Sequence, residues 1–164
     1  MKHFFYILLF VTLIGASVSS CVRERTFSPI PAIQFERFVT YGHDSADCFI
    51  KFQDGDGDIG IPISDNTSPD DLKMKYLYKG TDGTFQPVDS SFGTPHFDTL
   101  FYSYRVPYLT PTGQYKALDG EIKIKLRTQP LFAVGHVVKF EIILTDRAGN
   151  KSNMVTTNEI NVVP

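Results

Sequence analysis

The sequence is most informative first through what it lacks. Its 164 residues contain no tryptophan and two cysteines. The missing tryptophan removes the best aromatic platform for sugars. Sixteen Lys and Arg stand against eighteen Asp and Glu, for a net charge of −2, and no basic block appears. Nucleic acid is therefore excluded as an expected partner. No stretch carries a 3.6-residue apolar period of helical length, which argues against a helical fold. A Gly-x-Ser-x-Gly elbow and a zinc-spaced histidine pair are both absent. His43 beside Asp44 and His96 near Asp98 are isolated neighbours, and His136 reads as a loop residue after Gly135. A catalytic arrangement needs a nucleophile placed against such a pair, so the chain reads as a non-enzyme.

One long apolar run is present, from Phe4 to Ile14. As a helix it spans only about 17 Å, against a hydrocarbon core of about 30 Å. Met1-Lys2-His3 precede it and small residues follow, which is the layout of a secretory signal peptide. Val18-Ser19-Ser20-Cys21 resembles the bacterial lipoprotein box, with Val18 in place of the usual leucine. That resemblance implies lipidation of Cys21, and more than one acyl chain gives stable anchoring. The expected division is signal peptide 1–20, lipidated tether 21–31 and one β-sandwich domain 32–164. The tether carries Pro29 and Pro31 and no apolar period. Cys48 is then left without a disulfide partner. It alternates with Ile50 and Phe52 on one strand face, as a buried inert thiol would.

The remaining chain reads as strands. Ile33 to Tyr41, Ala46 to Gln53, Lys73 to Lys79 and Thr84 to Val88 come first, with Gly80-Thr81-Asp82-Gly83 as a hairpin loop. Phe97 to Leu109 is a longer aromatic segment whose Pro107 points to an edge or a bulge. Tyr102, Tyr104, Val106 and Tyr108 share one face there, either as core or as a sugar-stacking surface. Ile122, Ile124 and Leu126 alternate with Lys123, Lys125 and Arg127. Val138, Phe140, Ile142 and Leu144 alternate with Lys139 and Glu141, and a turn at 146–150 leads into a last strand, Asn153 to Val163. Seven or eight strands of this kind predict an all-β antiparallel sandwich, immunoglobulin-like, with a jelly roll or small barrel as the other architecture.

Asp54-Gly55-Asp56-Gly57-Asp58-Ile59-Gly60 is the one segment with metal chemistry. Ca²⁺ takes six to eight oxygens, and a curling chain presents every second residue to it. Glycine supplies the positive φ that such a curl needs. Counting from Asp54 adds the Gly60 carbonyl at the seventh position and Asp65 at the twelfth. The expected ligands are Asp54, Asp56, Asp58, Gly60 and Asp65, with Asp70 and Asp71 as further donors. Ile59 stands where an EF-hand has glycine and Asp65 where it has glutamate, so the pattern is a calcium loop without being an EF-hand. The other reading is a solvated Asp-Gly turn without an ion.

Four segments resemble those of a family of Bacteroidota outer-membrane lipoproteins of uncharacterised role. They are Phe52 to Gly60, Arg105 to Gln114, Leu118 to Ile122 and Asp146 to Asn153, in that order. The resemblance implies an envelope protein with a β-sandwich domain, and it brings no activity. Val22-Arg23-Glu24-Arg25 lack the acidic run that often follows the cysteine of surface-exported relatives, which favours a periplasm-facing orientation. The resulting expectation is a membrane-anchored, non-catalytic structural or protein-interaction module, stabilised by Ca²⁺. Its alternative is a glycan-binding accessory. Expected partners are the membrane, through Cys21, and an envelope protein or glycan.

Overall fold

The computed structural model of the chain describes residues 27–41, 45–87, 101–112, 114–126 and 137–161. These residues form an all-β structure of antiparallel strands in two sheets. The first sheet has the order β1-β2-β6, from Ala32–Thr40, Ala46–Asp54 and Leu118–Leu126. The second is built on β3 (Leu72–Lys79) and β7 (Val137–Leu144), paired along their length. One edge of β3 carries β4 (Phe85–Pro87) and β5 (Phe101–Tyr104). The outer edge of β7 carries β8 (Val155–Thr156) and β9 (Ile160–Asn161).

Period-two patterning places the core. In β2, Cys48, Ile50 and Phe52 are buried while Lys51 and Gln53 are exposed. In β7, Val138, Phe140, Ile142 and Leu144 are fully buried. Successive side chains of a strand point to opposite faces, so each sheet presents one apolar face, and the two faces form a single core. Phe38 of the first sheet stacks on Phe140 of the second, with ring centroids 5.9 Å apart. The Cys48 thiol sits inside this core, where burial pushes it up to about 12.

Three expectations change in detail. The aromatic segment does not continue as a strand to Leu109, because β5 ends at Tyr104. Val106 instead donates its N–H to the Asp71 carboxylate at 2.8 Å, and Pro107 has no N–H to give. The last strand is broken into β8 and β9 rather than running unbroken from Asn153. Side-chain hydroxyls replace main-chain acceptors here: Phe140 donates to Thr157 Oγ1 and Leu144 to Ser152 Oγ, each at 3.0 Å. Each hydroxyl stands in for the acceptor a strand carbonyl would supply, while the Ser152 and Thr157 N–H groups still donate to Leu144 O at 2.8 Å and Phe140 O at 2.9 Å.

The third change concerns the tether. Pro31 is fully buried, and the Ser28 carbonyl accepts the Gly55 N–H at 2.8 Å. The chain before β1 therefore lies against the acidic loop. Residues 1–26, with the expected signal peptide and Cys21, lie outside the described residues. So do Val88, residues 97–100, Arg127, Val162 and Val163, together with His43, His96 and His136.

Candidate metal centre

Asp54 is the last residue of β2, on the inward face with Phe52, and the following loop brings Asp56 and Asp58 back toward it. Gly57 at φ +71° and Gly60 at φ +84° supply the left-handed turns that this curl requires. One carboxylate oxygen from each of Asp54, Asp56 and Asp58 lies within 4.8 Å of the others. Two oxygens on one Ca²⁺, each about 2.3–2.6 Å from the ion, are at most about 5 Å apart. Each pair of carboxylate oxygens therefore lies within the span of one such ion.

The loop is poorly balanced by protein groups alone. Asp54 is 0 % exposed. Its Oδ2 accepts the Asp58 N–H at 3.0 Å, while its Oδ1 is buried without a hydrogen-bond partner among the described residues. Asp58 Oδ2 accepts the Ala148 N–H at 3.0 Å, and its Oδ1 is likewise buried and unpartnered. Burial pushes the Asp54 carboxyl up to about 6, helped by the charges of Asp56 and Asp58. Burial and the charge of Asp146 also raise Asp58. Desolvation and like charge both disfavour the ionised form. A bound cation reverses both effects.

The expected ligands Gly60 and Asp65 both have protein partners. Asp65 lies apart from the three-carboxylate group. Its oxygens accept four hydrogen bonds, from the N–H and hydroxyl of Thr67 and of Ser68, at 2.6–3.0 Å. Those donors hold its carboxyl well below the usual range. Asp65 is thus the organiser of the next turn. Asp70 pairs with Arg105, and Asp71 takes the Val106 N–H, so neither joins the group.

The Gly60 carbonyl accepts from Arg147 Nη1 at 2.9 Å. The same nitrogen donates to Ile59 O at 2.7 Å and Leu109 O at 3.3 Å, while Nη2 reaches Gly57 O at 3.3 Å. The Arg147 backbone N–H donates to Asp58 O at 3.1 Å. Arg147 also lies 4.6 Å from the centroid of the Tyr108 ring. It fastens the inner carbonyls of the loop to the β7–β8 turn, and the Ala148 N–H of that turn also holds the Asp58 carboxylate. Sequence reasoning missed this residue. Its segment, Asp146 to Asn153, stands out in the sequence only as a turn and by its resemblance, and nothing in its spacing places a guanidinium against a loop nearly ninety residues earlier.

The aromatic segment resolves toward packing. Tyr102 lies edge-on to Phe140 at 6.0 Å and tilted to Tyr76 at 6.4 Å. Tyr104 is half-buried against the core. Tyr108 leaves that face and lies beside Arg147. No protein-family model matches the chain, and neither a curated protein nor a solved structure does.

Proposed function

We propose that the chain is an outer-membrane lipoprotein, anchored through Cys21, whose sandwich is stabilised by Ca²⁺ at Asp54, Asp56 and Asp58. In this reading it serves as a non-catalytic structural or protein-interaction module of the cell envelope. The carrying observation is the Asp54 carboxylate, fully buried, with one oxygen unpartnered among the described residues, and converging with two further carboxylates. A buried ionised oxygen without a partner is costly, and a cation supplies the missing partner. The address rests on the Val18-to-Cys21 pattern and on the resemblance to Bacteroidota lipoproteins.

An immunoglobulin-like arrangement is supported by the strand orders, β1-β2-β6 facing β4-β3-β7-β8. A Ca²⁺ affinity of about 10⁻⁴–10⁻³ M suffices outside the cytoplasm. Thermal unfolding tests the reading. The midpoint rises as millimolar calcium replaces EDTA, and an unchanged midpoint removes the ion from the account.

A further inference from the structure

We infer that the acidic loop faces the bilayer carrying the Cys21 anchor, and that Ca²⁺ held there binds the phosphates of anionic lipid headgroups. This rests on the reading of Cys21 as lipidated and of Asp54, Asp56 and Asp58 as calcium ligands. The first support is position. Gly55 donates to Ser28 O, and a β-carbon on Gly55 would stand 2.4 Å from Phe27 O, so the incoming chain touches the loop itself. Cys21 is six residues before Phe27. Fully extended, that interval reaches about 20 Å. The pole of the sandwich closest to the anchor along the chain is therefore the acidic one.

The surface of that pole is the second support. It is made by residues 27–31, 54–71, 105–112, 114–117 and 145–151, which carry seven aspartates against four Lys and Arg. Eight large apolar residues are exposed among the described residues, and five of them are here: Ile30, Ile63, Tyr108, Leu109 and Tyr115. Ile63 is 93 % exposed. Exposed aliphatic and aromatic side chains favour the headgroup–acyl boundary. The net negative charge opposes approach to an anionic leaflet. Apolar attraction and charge repulsion thus act against each other, and a divalent ion between carboxylates and phosphates decides the outcome.

Coordination is the third support. A calcium loop ordinarily includes a main-chain carbonyl among its ligands, but Arg147 engages the carbonyls of Gly57, Ile59 and Gly60. Asp65, the residue expected to close the loop, is occupied by Thr67 and Ser68. Asp56 is exposed, so the ion has an outward side. Phosphate oxygens are hard ligands of the kind Ca²⁺ prefers.

The test uses the lipidated full chain carrying Ile63→Cys, labelled with a polarity-sensitive fluorophore. Cys48 is 0 % exposed and escapes the label. The protein is reconstituted in phosphatidylcholine vesicles with or without about a third phosphatidylglycerol. Calcium is expected to raise emission about twofold on the anionic vesicles. The rise should be absent on neutral vesicles, and absent after Asp56→Asn, a substitution at an exposed position. If the thermal midpoint responds to calcium but the probe does not, the headgroup contact is wrong while the calcium site stands. If neither responds, the calcium site itself fails and the contact with it. A rise without calcium, or an equal rise on neutral lipid, also overturns the phosphate bridge.

Discussion

Replacing Asp54 with asparagine should stabilise the protein when calcium is absent, an unusual sign for a change at a fully buried position. Asp54 is 0 % exposed, one of its oxygens is unpartnered among the described residues, and burial raises its carboxyl from 3.8 to about 6. That displacement of about two pH units corresponds to about 3 kcal/mol. With a folded-state value above the unfolded one, the favourable contribution is fully present below about 3.8 and is lost as pH rises through about 6. Above that window wild type carries an uncompensated charge. The substituted asparagine keeps an oxygen for the Asp58 N–H and places an amide toward the neighbouring carboxylates.

In EDTA at pH 8, urea unfolding should therefore find Asp54→Asn more stable by up to about 3 kcal/mol. The difference should shrink toward zero near pH 4. Calcium at about a hundredfold over its dissociation constant adds about 2.7 kcal/mol to wild type and nothing to the variant, so it closes the gap. In a domain of this size that gain is roughly 8–10 °C in midpoint. A variant less stable than wild type in EDTA at pH 8 would refute the reasoning, since it would mean that the fold already compensates the Asp54 charge.

Further outcomes follow from the loop's other contacts. Arg147→Ala removes donors from the carbonyls of Ile59 and Gly60, both buried residues, and should lower stability to urea by about 1–3 kcal/mol. Gly60→Ala places a β-carbon 2.1 Å from Pro107 O at φ +84°. It should lose about 3 kcal/mol or more, whereas Gly83→Ala, at φ +82° with nothing within 4 Å among the described residues, should lose only about 1–2 kcal/mol. Equal losses at the two glycines, measured by the same unfolding assay, would contradict the close approach.

The sheets were legible because their information is local. Period-two alternation assigned Cys48, Ile50 and Phe52 to one face and Val138 to Leu144 to another, and both faces are core. Gly80 to Gly83 likewise forms the hairpin loop that its dipeptides predict, with Gly80 N–H donating to Thr84 O at 2.8 Å. The convergence of Asp54, Asp56 and Asp58 was legible for the same reason, since all three lie within five residues.

What escaped was long-range or depended on a side chain acting as backbone. Where the last strand breaks, Thr157 and Ser152 accept from β7 through hydroxyls of a kind that strands also carry on their surface. Asn153 clasps both the N–H and the carbonyl of Ile33 at 2.9 and 2.8 Å, joining the edge of β1 to the chain before β8. Spacing from Asp54 named Gly60 and Asp65 as ligands, and it did not show that both oxygens already have partners of their own. A distant arginine engages one and two local hydroxyls occupy the other.

In the proposed reading three carboxylates, and not the wider loop, hold one calcium ion. Calorimetric titration of the wild-type protein with calcium tests it most directly, with Asp56→Asn and Asp65→Ala run beside it. One ion per chain is expected for wild type and for Asp65→Ala, and loss of binding for Asp56→Asn. No stoichiometric uptake by wild type, or uptake abolished by Asp65→Ala and kept by Asp56→Asn, would contradict the account.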